Sequence, residues 1–443
     1  MRRICFTLIT LLGIAALPIQ AKILTQTLDN GLKVIIKEDH RAPVAVSQIW
    51  YRVGSIDELN GTTGLSHALE HLMFKGTHSV PAGEFSRKVA ATGGQFNAFT
   101  SQDQTVYYET TAASALPEML KLEADRMVNL NFSDEAFTNE MAVIKEERRM
   151  RTDDTPGGVL WESLLANAFI ANPSRLPVIG WMNDLDHMQA EDLRAWYKQW
   201  YAPNNATVIV VGAVNAEDTL AIVQREFGGF KPQTLPVRKP QAEPTQKGIK
   251  RVQVSAPSEL PILALAYKAP KLIKLDDQAP YALAMLSAVL DGHEASRLSK
   301  KLVREDKIAL NVSAGYGLYS RGENLFTLTA MPTQGQSLAT LEQALKDVVS
   351  DIAQNGVSAA ELKRIRNQMD AADVYKKDSM EGQALSMGYL ETVGFGHEAE
   401  ETMKKNMQKV TSKDIQAAAK SLIDDRLTVV TLLPESIHPA KKP

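Results

Sequence analysis

The chain is 443 residues long, carries 52 acidic against 49 basic side chains for a net charge of −3, and is 44% hydrophobic. Near-balanced charge excludes a partner recruited by a strong basic field, nucleic acid or anionic membrane, and the length suffices for two domains with separate cores. The single cysteine, Cys5, excludes a disulfide framework.

Residues 1–21 place Arg2 and Arg3 before an apolar run from Ile4 to Leu17 and end on the small residue Ala21. That order reads as a secretory signal peptide, too short in its apolar core to span a bilayer comfortably. The expected destination is secreted, and periplasmic in a Gram-negative cell, with no stable membrane span. Further on, Leu28-Asp29-Asn30-Gly31-Leu32-Lys33-Val34-Ile35-Ile36 is an Asn-Gly turn beside β-runs, which predicts a hairpin. Gly54-Ser55-Ile56-Asp57-Glu58 reads as structural.

The pentad His67-Ala68-Leu69-Glu70-His71 comes next. Positions i, i+3 and i+4 share one helix face, so His67, Glu70 and His71 project into one volume. Two neutral imidazoles there suit one Zn²⁺, and a carboxylate beside an acidified water suits general base chemistry. Glu70 is the natural base. The order His-x-x-Glu-His inverts the commoner zinc-peptidase pentad. Hydrolytic zinc sites use three protein ligands, so one more is needed. Cys5 lies in the leader and the other six histidines form no comparable cluster, which leaves carboxylates.

Gly93-Gly94-Gln95-Phe96-Asn97-Ala98-Phe99-Thr100 has the glycines and alternation of a turn entering an edge strand. The run Thr138 to Arg149 reads as a helix with Glu140 and Glu147 on one face. Composition alone favours a solvated charge run paired with Lys145, Arg148 and Arg149.

Two stretches then repeat. Met188 to Tyr197 leads to the β-run Thr207–Val211, and Val410 to Ala419 leads to Leu427–Leu432, each a capped helix followed by a buried strand. Between the halves, proline-rich residues 231–248 have linker composition. The reading is an α+β fold of two homologous sandwich domains, 22–230 and 249–443, each a mixed, mainly antiparallel sheet covered by helices. The second half has no copy of the pentad.

The pentad, the Glu-x6-Glu pair and the duplicated architecture together make the whole chain resemble the pitrilysin/insulinase family of zinc peptidases, in particular short bacterial members related to mitochondrial processing peptidase. The resemblance implies one zinc per chain held by His67, His71 and Glu147, with Glu140 orienting a ligand, and a strand at Asn97 and Ala98 that receives a peptide substrate by β-augmentation. It also implies an arginine and a tyrosine seven residues apart in the later domain, binding the substrate carbonyl. Here Arg304 is present but Asn311 stands at the tyrosine position. That departure favours a heterodimer with a related subunit carrying the Arg/Tyr pair; a homodimer working with Arg304 and Asn311 is the other option. Activity on unfolded peptides or oligopeptides is expected, and a weakly active or non-catalytic chamber subunit is the rival reading.

Overall fold

The computed structural model describes residues 23–435, so the predicted leader lies outside the described residues. Among the described residues eleven strands form two sheets. The first contains β1 (Ile23–Thr27), β2 (Lys33–Glu38), β3 (Val44–Tyr51), β4 (Gln95–Thr100), β5 (Thr105–Ala112) and β6 (Ala206–Gly212), in the order β1-β2-β6-β3-β5-β4. The second contains β7 (Lys250–Ala256), β8 (Ile262–Ala269), β9 (Ala309–Tyr316), β10 (Asn324–Pro332) and β11 (Leu427–Pro434), in the order β7-β11-β8-β10-β9. In each sheet one pair is parallel, β2 with β6 and β7 with β11, and the remaining pairs are antiparallel. Helices cover both sheets, giving the mixed α+β architecture that the periodicity predicts.

The duplicated segments occupy matching places. The helix Ala190–Trp200 passes through a single 3₁₀ turn into β6, and Ser412–Ser421 does the same into β11. Each of these strands lies between a parallel and an antiparallel neighbour, and each is buried because both its faces are covered. Near the start, Leu28 N donates to Leu32 O at 2.9 Å to close the β1–β2 hairpin. Gly31 turns it at φ +85°, where a Cβ would also meet Asn204 Cβ at 2.7 Å.

Two helices pack on the sheet of the opposite half. Pro156–Ala168, from the first half of the sequence, places Leu160, Leu164 and Ala168 against Ala264, Ala266, Val430 and Leu432 of the second sheet. Reciprocally, Met380–Val393 places Met380, Ala384 and Met387 against Ile35, Val46, Trp50 and Ile209 of the first sheet. The exchange is riveted by polar contacts: Lys33 Nζ to Glu391 Oε2 at 2.6 Å and Arg52 Nε to Thr392 O at 2.7 Å. Residues 231–248 contain no helix or strand, yet they are pinned. Glu243 accepts from the main-chain N–H groups of Ile170, Ala171 and Asn172 at 2.9–3.0 Å, and from Lys268 Nζ at 2.6 Å.

The exchanged helix approaches Trp50 so closely that only glycine fits at one position: a Cβ on Gly388 would stand 2.0 Å from Trp50 Cε2. Gly388→Ala is expected to destabilise the protein by about 1–3 kcal/mol, the usual cost of overpacking a filled core. Gly229→Ala, where a Cβ meets nothing within 4 Å, should stay within about 0.5 kcal/mol. Urea denaturation followed by tryptophan fluorescence decides it, and equal midpoints for the two variants would contradict the packing argument.

Candidate metal centre

The pentad lies on the helix Leu65–Leu72, as the i, i+3, i+4 spacing predicts. Leu65, Ala68, Leu69 and Leu72 are buried in the core of the first sheet, which fixes the rotation of the helix. The opposite face, His67, Glu70 and His71, is half-buried. The helix starts from Gly64, at φ +90°, whose missing Cβ leaves room for Ile179 O. Its first free N–H groups are met by a buried acid: Glu58 accepts from Gly64 N and Ser66 N, both at 2.7 Å. Burial pushes the Glu58 carboxyl up to about 7 against the pull of these bonds. Asp184 ties down the same loop by accepting from Gly61 N, Thr63 N and Thr63 Oγ1.

The facing helix is Asp134–Arg148, capped by Ser133, whose hydroxyl accepts from Ala136 N at 3.1 Å. Its C-terminal end is fixed by Arg148, which donates to Gly180 O at 2.7 Å and pairs with Glu162 at 2.8 Å. Glu147 Oε2 thereby comes within 3.3 Å of His71 Nε2 and 3.7 Å of His67 Nε2. For ligand bonds of 2.0–2.2 Å, a tetrahedral zinc site has ligand-to-ligand edges of about 3.4 Å. The spacing therefore suits such an ion. Glu147 Oε2 is also buried without a hydrogen bond, while Oε1 is held by Arg151 at 2.9 Å. An acceptor left bare in this way is costly unless a cation meets it. The donor chemistry, two imidazoles and one carboxylate, fits Zn²⁺.

Burial, then the neighbouring His71 and Arg151, lower the His67 pKa to about 3, so its imidazole is neutral, the form that ligates a metal. Glu140 accepts from His71 Nδ1 at 2.9 Å and is also paired with Lys75. This leaves the His71 Nε2 lone pair directed at the site. Glu146 points away and pairs with Arg149.

Glu70 Oε2 accepts a hydrogen bond from Thr100 Oγ1 at 2.5 Å. Burial raises the Glu70 pKa, opposed by that hydroxyl. Thr100 belongs to β4, at the edge of the first sheet, and pairs with Thr105 of β5 on one side only. Strand alternation puts Phe96, Ala98 and Thr100 on the pentad side and Asn97 and Phe99 on the other, where Phe99 meets Trp50. Asn97 Oδ1 accepts from its neighbour's main chain, Ala98 N, at 2.9 Å. The sequence alone assigns no role to Thr100 or Arg151, although the period-two spacing of Thr100 from Ala98 is a signal. The structural role expected of the segment ending in Glu58 is the one it has here, holding the start of the pentad helix.

Arg304 and Asn311 are not brought to this group. Arg304 lies on a π-helical turn, Ser299–Glu305, and lines a cavity that includes none of His67, His71 and Glu147. Asn311 is exposed on β9, the edge of the second sheet. Among the described residues one other group could gather ligand atoms, Glu391, His397 and Glu398. The Lys33 ammonium already occupies Glu391 Oε2, so that group is an ion-paired clamp between the halves.

If Glu140 orients His71, Glu140→Ala should weaken divalent metal binding about 10–100-fold while the protein stays folded. Competition with a chromogenic chelator measures it, and unchanged affinity would remove Glu140 from the site.

Residues 33–180 match the family model described as Insulinase (Peptidase family M16), and residues 187–369 match Peptidase M16 inactive domain. The zinc protease PqqE of Helicobacter pylori is 31% identical over 345 residues, 77% of each chain. A crystal structure of a protease from Helicobacter pylori superimposes with a TM-score of 0.89 at 28% identity, covering 94% of this chain and all of that one. The periplasmic protease PqqL from Escherichia coli shares the fold, with a TM-score of 0.77 at 19% identity over 95% of this chain and 48% of its own. No helix among the described residues is long and apolar enough to cross a membrane. Two domain models in tandem and a relative matched over most of both chains establish that this chain belongs to the M16, or insulinase, family of peptidases.

Proposed function

We propose that this chain is an exported zinc metallopeptidase that hydrolyses unfolded peptides, with Zn²⁺ held by His67, His71 and Glu147. The convergence of His67 Nε2, His71 Nε2 and the bare Glu147 Oε2 carries the reading. Zinc bound there supplies a Lewis acid and makes water acidic enough to attack near neutral pH. Glu70, on the same helix face, takes the proton from the attacking water and delivers it to the leaving amine. The Thr100 hydroxyl keeps the Glu70 carboxylate turned toward that volume. A peptide adds to the free edge of β4 beside Asn97 and Ala98, bound mainly through its backbone, which accommodates many sequences. For this the Asn97 side chain must release the Ala98 N–H.

The leader composition and the periplasmic relative support a signal peptide and a periplasmic location. Arg304 and Asn311, exposed and away from the metal-binding side chains, support a partner-dependent site in which a related subunit brings an Arg/Tyr pair to this zinc.

The purified mature protein is expected to hold about one zinc per chain by metal analysis. Glu70→Gln should keep the metal and lose about 10²–10⁴-fold in peptidase activity. His67→Ala, His71→Ala and Glu147→Ala should lose metal and activity together. An active Glu70→Gln protein would remove Glu70 from the base role.

Alone, the chain should cut peptides weakly, and a subunit with the Arg/Tyr pair should raise the rate about 10²–10³-fold, the range for restoring one donor to the developing oxyanion. Full activity of the isolated chain, unaltered by any such subunit, would overturn the heterodimer. A rise produced by Asn311→Tyr in the isolated chain would point to the homodimer instead.

A further inference from the structure

A cavity of about 670 Å³ lies where the pinned linker, the loop before the pentad helix, the β9–β10 turn and the end of the exchanged helix meet. Its charge is the reverse of the chain's. Five cationic side chains line it, Arg52, Arg238, Lys239, Lys271 and Arg321, against one carboxylate, Asp57. The protein as a whole has more acids than bases.

Asp57 is already fully used. Arg321 holds both its oxygens, Nη2 to Oδ1 at 2.7 Å and Nη1 to Oδ2 at 3.0 Å, and Arg238 Nε shares Oδ1 at 2.7 Å. Lys271 Nζ spends itself on the carbonyls of Arg321 and Gly322, at 2.6 and 2.5 Å. Two cations remain without a direct ion pair among the described residues. Arg52 gives its Nε to Thr392 O at 2.7 Å and forms no ion pair among the described residues. Lys239, exposed on the linker where it lines the same cavity, has neither a hydrogen bond nor an ion pair among them. Burial, then the positive fields of Arg321 and Arg238, lower the Arg52 pKa to about 10 against the pull of Asp57 and Asp103. Burial also depresses Arg238 and Lys271.

We infer that this cavity is a binding site for a small multivalent oxyanion, bearing phosphate or carboxylate groups, held by the free Nη atoms of Arg52 and by Lys239. Guanidinium forks match both oxyanions in paired hydrogen bonds, and the volume falls in the range of small-molecule sites. A wall of Arg238 stacked on Trp200, 4.4 Å from the ring centroid, keeps one side rigid. No residue of the metal centre lines the cavity, so this inference stands apart from the peptidase reading.

Calorimetric titration of the full chain with inorganic pyrophosphate, and separately with tricarballylate, tests it against sodium chloride of equal ionic strength. Saturable binding of either anion at one site per chain is expected, and the anion that binds tells phosphate from carboxylate recognition. Lys239→Ala, which removes a side chain with no partner among the described residues, should weaken binding several-fold, and Arg52→Gln with Lys239→Ala should weaken it by about tenfold or more. His71→Ala should leave binding intact, and metal content measured before and after titration separates binding from extraction of zinc. Absence of saturable binding by both anions overturns the inference. So does equal affinity in the wild-type and doubly substituted proteins, or a response lost in His71→Ala, which would assign the anion to the metal centre.

Discussion

The rotation of one short helix decides whether the candidate site exists. Leu65, Leu69 and Leu72 are buried to within a few per cent exposure, and eight residues offer no second apolar stripe by which the helix could settle differently. With that face fixed, His67, Glu70 and His71 point outward together. The remaining freedom, sliding along the axis, is removed at the N-terminus by Glu58 and Asp184, which hold the entering loop through its main-chain N–H groups. A buried carboxylate is a costly anchor, and its use here indicates how closely the start of this helix is specified.

The partner ligand is fixed from a different direction. Glu147 is near the end of a helix whose C-terminal Arg148 is buried and bonded to Gly180 O, and Gly180 packs against Gly64 at the start of the pentad helix. The two elements that supply nitrogen and oxygen ligands are thus referenced to one point. Beneath them, Tyr107 and Tyr201 share a hydroxyl hydrogen bond of 2.8 Å and Arg126 lies against Phe74, Phe85 and Tyr107, so the floor of the site is rigid.

Much of this was legible in the sequence because it is local. Helical spacing alone predicted the shared face of His67, Glu70 and His71, and the glycines before Gln95 predicted a turn into an edge strand. The duplicated helix-then-strand segments predicted two sheets of like topology. Glu147 as the partner carboxylate needed the family resemblance, since a run rich in Glu, Lys and Arg reads as solvent-facing until a partner helix is known. Thr100 was illegible as a partner of Glu70 for a similar reason: it acts on a residue 30 positions back, through a bond that no periodicity encodes. The segment ending in Glu58, by contrast, was read as structural and serves as such, holding Gly64 N and Ser66 N close by in sequence. The exchange of helices between the sheets was hidden too, because an apolar stripe records that a helix is covered and says nothing of which sheet covers it.

That exchange has a temporal side. The first sheet owes the cover over Trp50 to a helix near the far end of the chain, and the bond from Arg52 to Thr392 closes a loop with a sequence separation of 340 residues. Long closures form late, and until then the apolar face around Trp50 is open to water. The N-terminal half can therefore assemble its main core as it is synthesised but cannot cover the Trp50 face of its sheet. That face must wait for Met380–Val393, so the nascent first sheet stays uncovered there until most of the chain has been made.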